Sequence, residues 1–126
     1  FLEKIPALHM LIQDVQSAAE TNGDIKALDG RRVFVRSTHA ALNCLLQSSG
    51  AIVSKYWIDN LRSHLNQDIK LVGWIHDEVI LEVKEDFADQ AKIMVVQAIE
   101  DITDRIGLRV QLTGDSRIGR NWKEIH

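Results

Sequence analysis

The sequence predicts an α+β fold, with long helices on one face of an antiparallel β-sheet and a small separate hairpin. Three observations support this prediction. Apolar residues recur at helical spacing in three long segments. Two runs rich in β-branched and aromatic residues are joined by a very short connection, and another pair of short runs flanks an Asp-Gly. A chain of 126 residues is long enough for one core, so residues 1–126 are expected to form a single domain.

A helix and the small hairpin come first along the chain. Pro6 suits a first helical turn, apolar residues follow at helical spacing, and Asn22-Gly23 is expected to end the helix. The segment ALDGRRVFVR, residues 27–36, then predicts a hairpin with Asp29-Gly30 as its turn. Strand alternation places Val33 and Val35 on one face and Arg32, Phe34 and Arg36 on the other.

The second helix is expected to be the longest element of the chain. Ser37 or Thr38 can cap it, and it should run from about His39 to about Asn66. Its lone cysteine, Cys44, lies among leucines and is expected to be a buried, inert thiol. The apolar side of the helix would be formed by Leu42, Leu45, Leu46, Val53, Trp57 and Leu61.

The central sheet and a third helix complete the predicted fold. The strands Leu71–Ile75 and Val79–Val83 are so close in sequence that they should pair as an antiparallel hairpin. A third helix near Glu85–Ile106 is expected to stop at Gly107. Apolar and polar residues alternate over residues 108–112, which predicts one further strand, and the tail GRNWKEIH is irregular.

Composition indicates a soluble protein of a reducing compartment. No run of eighteen apolar residues could span a membrane, and a single cysteine cannot form an internal disulfide. Because the chain begins with Phe1, we expect it to be cut from something longer. The net charge of −3 argues against a uniformly basic surface, yet two basic clusters suit a phosphate-bearing partner or simply a solvated surface. These clusters are Lys26, Arg31, Arg32 and Arg36, and Arg117, Arg120 and Lys123.

Three titratable residues, His76, Asp77 and Glu78, should lie together at the tip of the central hairpin. A tight tip projects its side chains outward, and carboxylate oxygens are the ligands that Mg²⁺ prefers. In two-metal phosphoryl transfer, ions about 3.5–4 Å apart stabilise the attacking and leaving oxygens, and they offset repulsion between neighbouring carboxylates. Considered alone, the same pattern also fits an ordinary exposed acidic turn.

A second group of polar residues lies on the predicted long helix. His39, Asn43 and Gln47 are spaced four residues apart and therefore share one helical face. Asn43 and Gln47 are expected to face solvent and to point to the same side as Asp77. Their side chains can reach the acceptors that every base pair presents in the minor groove, which would test pair shape without reading sequence. The wet side of an amphipathic helix is the alternative interpretation.

Three blocks of the sequence are informative together: HAALNCLLQSSGA, starting at His39, then GWIHDEVILEV, and finally GRNWKEIH. They resemble the end of a family-A DNA polymerase, most closely the replicative enzymes of phages. The blocks are in the family's order and at about its spacing, and ALDGRRVFVRS also fits the segment that precedes the family's helix. The resemblance covers nearly the whole chain, which makes it far more specific than any single block.

The resemblance implies roles for individual residues. Asp77 would be one of two metal-binding catalytic aspartates, Glu78 the neighbouring carboxylate that supports the metals or primer end, and His76 a group that positions the primer. Asn43 and Gln47 would contact the minor groove of the primer–template. His39 stands where many members carry Arg, although phage-type members resemble this chain there. Arg36 is assigned to the same DNA-binding set, and the tail ending at His126 would fold back towards the palm.

The resemblance also implies parts that this chain does not contain. The other catalytic aspartate and the helix that grips the nucleotide belong to earlier motifs of the family. The chain is therefore expected to be a C-terminal palm fragment that supplies half of a two-Mg²⁺ site and is inactive by itself. The parent would act on DNA primer–template and dNTP, with room for a processivity partner, in the cytoplasm, that of the host cell if it is phage-encoded.

Two other functions remain as alternatives. One is a non-catalytic module that binds duplex DNA or a partner protein. The other is a metal phosphohydrolase that uses His76-Asp77 as an H-D pair, but such a site needs further histidines and an aspartate on helices. The pair here is expected on a hairpin, and two of the remaining histidines, His64 and His126, lie near predicted helix or chain ends.

Overall fold

Helices and two small antiparallel sheets make up the computed structural model, which describes residues 4–126. The predicted α+β class is confirmed. In the described part of the chain, no helix is both long and apolar enough to cross a bilayer. The chain divides into two units, one ending at Ile52 and the other running from Val53 to His126. The elements are α1 (Pro6–Asn22), β1 (Asp24–Lys26), β2 (Arg32–Phe34), α2 (Ala41–Leu61), β3 (Ile69–Ile75), β4 (Glu78–Val83), α3 (Ala88–Glu100), α4 (Ile102–Ile106) and α5 (Trp122–Ile125).

In the first unit, α1 packs against the small hairpin. The helix ends as predicted: Gly23 adopts a left-handed conformation with φ 73°, and its N–H donates to the Ala19 carbonyl at 2.9 Å. Glycine suits this position because a left-handed backbone costs it nothing. The apolar side of α1 then meets the hairpin and the start of α2. This core consists of Val15, Ala19, Ile25, Val35 and Ala41.

The small hairpin forms around the predicted turn, with strands that begin earlier than expected. Residues 24–26 pair with residues 32–34, and Asp29-Gly30 lies in the loop between them. The predicted faces are confirmed, since Val35 is buried, Val33 is half-buried and Phe34 is 75% exposed. Cys44 is half-buried rather than buried, and its thiol lies 3.8 Å from the Phe34 carbonyl oxygen.

The predicted second helix is too long at both ends. Residues 38–40 form a 3₁₀ turn before α2, and Ser37 precedes that turn without any side-chain capping bond. At the other end, residues 62–64 form another 3₁₀ turn, and Asn66 then starts a different structure. The Asn66 side-chain oxygen accepts from the backbone N–H groups of Asp68 and Ile69 at 2.8 and 3.1 Å. These bonds compete with helix continuation and lead the chain into β3.

The central hairpin is antiparallel, as predicted, but its tip is shorter than expected. β3 pairs with β4 from Ile69 opposite Val83 to Ile75 opposite Glu78, so the turn contains only His76 and Asp77. Glu78 is the first residue of β4 rather than part of the turn. Leu71 pairs with Leu81 but Gly73 pairs with Ile80, so Val72 is an extra residue on β3 and forms a bulge.

In the second unit, helices cover one face of this hairpin. Trp57 and Leu61 of α2 pack with Val95 and Ala98 of α3 and with Ile102, and β4 adds Val79 and Leu81 at the edge of the cluster. Two side chains of α2 also donate to backbone carbonyls of α3. The Trp57 indole N–H lies 2.9 Å from the Val95 oxygen, and the Asn60 amide lies 2.9 Å from the Ala98 oxygen. These bonds fix α2 against α3 as well as burying their apolar sides.

The third predicted helix is interrupted, and the prediction of a last strand is wrong. α3 ends at Glu100 and α4 begins at Ile102, although Asp101 keeps helical dihedral angles. Gly107 stops α4 as predicted, with φ 75°. Residues 108–112 form no strand, because their polar groups bond to the preceding helix end instead. The Leu112 N–H donates to the Thr103 hydroxyl at 3.0 Å, and the Gln111 amide donates to the same hydroxyl at 3.1 Å.

Side-chain ion pairs reduce the positive charge of the first basic cluster. Arg31 bonds Asp29 through its Nε at 2.8 Å, and the Arg32 Nε bonds Asp24 at 2.8 Å. The hydrogen bond from Arg31 holds the pKa of Asp29 below its ordinary value, and Asp24 raises the pKa of Arg32. Two of the four predicted cations are therefore matched by carboxylates on the same hairpin.

We predict that the Asp29 carboxyl titrates below its ordinary value of 3.8. Because the folded pKa is the lower one, the pair stabilises the hairpin above the unfolded pKa, and this contribution disappears as pH falls through the folded pKa. Carboxyl NMR titration of the chain measures the midpoint. Arg31→Gln should return the midpoint towards 3.8, and an unchanged midpoint in that variant would contradict the pairing.

Candidate active site

The tip of the β3–β4 hairpin presents two adjacent polar side chains to solvent. His76 and Asp77 are exposed, and His76 has φ 54°. Residues other than glycine rarely adopt this left-handed backbone conformation, and a non-glycine residue in it costs about 1–3 kcal/mol. The bulge at Val72 sets the length of the turn. If the pairing at Leu71 and Leu81 simply continued, three residues would be left for the turn instead of two.

The carbonyl group of His76 is held by a side chain of β3. The Trp74 indole N–H donates to the His76 carbonyl oxygen at 2.8 Å, although Trp74 itself is 44% exposed. Trp74 lies directly opposite Val79, and directly paired residues share a face of the sheet. Trp74 therefore starts from the same face of the hairpin as Val79, and its indole extends along the strand to the turn.

Glu78, just after the turn, contacts the end of the chain. Its carboxylate oxygen lies 2.9 Å from Nε2 of His126, and the side chains are 45% and 37% exposed. The Trp122 ring stacks on the His126 ring, with centroids 4.1 Å apart and planes at 18°. The tail thus returns to the hairpin, as the sequence resemblance implied. Contacts as exposed as this one are weak by themselves. The ring stacking and a contact of 3.3 Å between His126 Nδ1 and the Trp122 carbonyl oxygen also hold the imidazole.

The tail is folded by a local set of hydrogen bonds around Glu124. Its backbone N–H donates to the Asn121 side chain at 3.3 Å, while its carboxylate accepts from the Arg120 N–H at 2.8 Å. Asn121 thus caps the start of α5, and the Glu124 carboxylate reaches back to the Arg120 N–H and to the Asn121 side-chain amide, which donates at 2.9 Å. Gly119 lies so close that a Cβ there would be 2.7 Å from Glu124 Cβ and 2.9 Å from Ile125 Cγ2. A side chain at position 119 would therefore push α5 away.

A cavity of about 470 Å³ lies within the second unit, beside the tip. Asp77 and Glu78 contribute to its wall, together with His126 and Arg117 of the tail. Apolar residues of β4 and α3 line the rest, including Val79 and Val95. The acidic tip thus borders a partly apolar recess, with a cation of the second basic cluster in the same wall.

The residues at the tip could provide some of the ligands of a magnesium ion. Mg²⁺ usually takes one or two protein carboxylates, with water and substrate phosphates completing its octahedral shell. Asp77 supplies an exposed carboxylate on a two-residue turn, and Glu78 supplies a second one next to it. Within residues 4–126, no three His, Cys, Asp or Glu side chains converge on one metal position. Further ligands would therefore have to come from outside the described residues or from substrate.

The other predicted site residues lie in the first unit. Arg36 follows β2, His39 is in the 3₁₀ turn before α2, and Asn43 and Gln47 are on α2. All four are exposed, so the expected solvent-facing position of Asn43 and Gln47 is confirmed. That they point to the same side as Asp77 stays a prediction, because Asp77 belongs to the second unit.

Sequence reasoning missed the partners of the tip. The sequence predicts Trp74 only as a residue of the strand Leu71–Ile75, and the contact between Glu78 and His126 joins residues 48 positions apart. A tryptophan two residues before a tight turn can reach the turn's backbone, and that spacing could have indicated the Trp74 contact. The tail contact had no comparable signal, since nothing in GRNWKEIH specifies where it packs.

Comparison with known proteins shows the family. Residues 1–124 match the model of DNA polymerase family A, and the chain belongs to that family. A DNA-directed DNA polymerase of Enterobacteria phage T3 is 33% identical over 150 aligned residues, covering 100% of this chain and 21% of the phage protein. That of Escherichia phage T7 is 32% identical with the same coverage. DNA polymerase I of Pseudomonas aeruginosa is 25% identical and matches 100% of this chain and 15% of its own length.

The chain thus spans about a fifth of the length of the phage relatives. The resemblance stated from the three sequence blocks is confirmed at the level of the family and of its phage members.

We predict that Gly119→Ala displaces α5 and breaks the contact between His126 and Glu78. The added methyl group would lie closer to Glu124 and Ile125 than packed carbon atoms allow, and overpacking of this kind costs about 1–3 kcal/mol. Thermal unfolding and NMR shifts of the His126 ring measure the effect. Gly114→Ala is the matched control, because a Cβ there has its nearest neighbour at 3.9 Å. Equal behaviour of the two variants would contradict the packing described for the tail.

Proposed function

We propose that the chain is a palm segment of a DNA-directed DNA polymerase and takes part in template-directed nucleotidyl transfer. The observation that supports this most strongly is the family match over residues 1–124, in a chain where Asp77 lies in the exposed two-residue turn between β3 and β4. Primer–template DNA and dNTP are the proposed substrates, and the other polymerase parts come from segments outside this chain. The relatives named DNA-directed DNA polymerase are consistent with this reaction.

Asp77 and Glu78 are the residues proposed to hold magnesium. When bound, Mg²⁺ stabilises charge on the attacking and leaving oxygens of a phosphoryl transfer. Asp77 provides its carboxylate from the tip, between the unpaired His76 and Glu78, which pairs with Ile75. Glu78 supports that position from the first residue of β4, and a second aspartate from outside the chain completes the protein's contribution. His76 orients the primer end beside them.

The exposed face of α2 is the proposed primer–template contact. Asn43 and Gln47 carry amides that can donate to purine N3 or pyrimidine O2, acceptors that all base pairs share in the minor groove. His39 extends the same set towards the start of the helix, and Arg36 offers a charge to the phosphate backbone. Such contacts hold the duplex in register without selecting a sequence.

A non-catalytic DNA-binding module is the second candidate. It is favoured by one observation, that Asn43 and Gln47 expose hydrogen-bonding amides on α2, which could contact DNA whether or not the chain takes part in catalysis. Primer extension by the polymerase that carries this chain separates the two candidates, because a binding module supports no incorporation however tightly it binds DNA. The metal phosphohydrolase interpretation loses its basis, since the H-D pair lies on a hairpin turn in a family-A polymerase segment.

We predict that Asp77→Ala in the complete polymerase lowers the single-turnover incorporation rate by orders of magnitude while primer–template binding survives. The reason is that positioning of metal and phosphates carries most of the catalysis in phosphoryl transfer. Rapid-quench extension gives the rate and fluorescence anisotropy the DNA affinity. Asp86→Ala, the same change at an exposed carboxylate after β4, is the control and should be near normal. The isolated 126-residue chain should incorporate no nucleotide.

Two outcomes would contradict these expectations. Near-normal incorporation by the Asp77→Ala polymerase would remove Asp77 from the proposed site. Robust Mg²⁺-dependent extension by the isolated chain would show that it does not need a second aspartate from elsewhere.

We predict that Gln47→Ala weakens primer–template binding or extension about equally on different DNA sequences. A lost contact to acceptors shared by all base pairs should cost roughly 1 kcal/mol whatever the sequence. Anisotropy titrations on several duplexes measure this. Gln13→Ala, at an exposed glutamine of α1, is the matched control and should have little effect. A strong loss restricted to one sequence context would show that Gln47 reads bases rather than pair shape.

A further inference from the structure

The turn that carries Asp77 combines two features that oppose each other. It has only two residues, and the first of them, His76, adopts φ 54° although it has a bulky side chain. Two-residue hairpin turns that place a left-handed residue first normally use glycine there. The described non-glycine residues include no other positive φ, so this backbone strain is confined to the catalytic tip. A strained turn persists only when surrounding contacts hold it.

The Trp74 indole is the contact that can hold it. Its N–H donates to the carbonyl oxygen of His76, the peptide group that joins His76 to Asp77, at 2.8 Å. That peptide group sets the direction in which Asp77 leaves the turn. A bond to its oxygen therefore restrains the orientation of the Asp77 side chain without touching it.

The register of the hairpin places Trp74 where it can make this bond. Because Val72 is an extra residue on β3, Trp74 lies opposite Val79 and Ile75 opposite Glu78. Without the bulge, Trp74 would lie opposite Glu78 and the turn would have a different length. Gly73 permits the close pairing beside the bulge, since a Cβ there would approach Ile80 Cδ1 to 3.1 Å. The bulge, the indole bond and the left-handed residue are thus parts of one arrangement.

We propose that Trp74 is a positioning residue for Asp77: its indole N–H holds the strained two-residue turn so that the Asp77 carboxylate is oriented before metal and nucleotide bind. The inference rests on the proposed function of Asp77 and adds a residue to it. Trp74 is 44% exposed, so only part of its ring is available for packing, whereas its N–H has a defined acceptor. Outer contacts of this kind tune a metal site by fixing the direction of its ligands.

Trp74→Phe in the complete polymerase tests the inference, because it keeps an aromatic ring and removes the N–H donor. The half-saturating Mg²⁺ concentration for single-turnover incorporation should rise about tenfold, with primer–template affinity unchanged. A second readout does not depend on activity. In the metal-free polymerase, amide hydrogen exchange of the peptide covering residues 75–78 should be faster in the variant, because the turn has lost its restraint.

Trp57→Phe is the matched control. It also removes an indole donor from a backbone carbonyl, that of Val95 at 2.9 Å, but within the core rather than at the tip. The control should lower the melting temperature. It should leave unchanged both the half-saturating Mg²⁺ concentration and the rate of amide hydrogen exchange at residues 75–78. A merely structural effect of Trp74 would instead make the two variants behave alike, and that result would overturn the inference.

Asp77→Asn, measured in parallel, separates this inference from the function on which it rests. If Asp77→Asn abolishes incorporation but Trp74→Phe changes neither Mg²⁺ requirement nor exchange, the positioning role is wrong and the proposed function stands. If Asp77→Asn incorporates nucleotide normally, the proposed role of Asp77 is wrong, whatever Trp74→Phe does. A loss of primer–template affinity in Trp74→Phe with an unchanged Mg²⁺ requirement would also overturn the inference.

Discussion

The two-residue turn between β3 and β4 is the constraint on which the proposed site depends. Antiparallel pairing brings the strands together at Ile75 and Glu78, so only His76 and Asp77 are free to reverse the chain. Both side chains then project from the end of the hairpin, where they are exposed. The left-handed conformation of His76 is the energetic cost of this geometry. A carboxylate held in this way loses little conformational entropy on binding a cation, which is the advantage of placing it at a tight turn rather than in a loop.

The packing behind the turn explains why the hairpin can bear that cost. Val79 and Leu81 of β4 join the apolar cluster formed by α2, α3 and α4. A two-stranded hairpin alone is marginally stable in water, and packing against helices gives it independent stability. The tail adds a contact from another direction, where His126 meets Glu78. The acidic tip is therefore supported from its base, by Trp74 at the turn, and from the end of the chain.

Sequence patterns predicted those parts of the molecule that local rules determine. The hairpins, the end of α1 at Gly23 and the exposure of Asp77 follow from short connections, glycine positions and alternation. The missing strand at residues 108–112 shows the limit of alternation, because Thr103 offered its hydroxyl to that segment's backbone. The bulge at Val72 changed the tip from three residues to two, and one extra strand residue leaves no pattern that a sequence can reveal. The partner of Glu78 lies 48 residues away, beyond the reach of local rules.

The coordination of Asp77 tests the account most directly. It can be measured in a crystal structure of the complete polymerase with primer–template, an unreactive nucleotide analogue and Mg²⁺. The account predicts a carboxylate oxygen of Asp77 at about 2.1 Å from a metal ion that also contacts nucleotide phosphate. It predicts in addition that His76 retains its left-handed backbone, with the Trp74 N–H on its carbonyl oxygen. Metal ions bound to the nucleotide with Asp77 turned away from them would contradict the central claim.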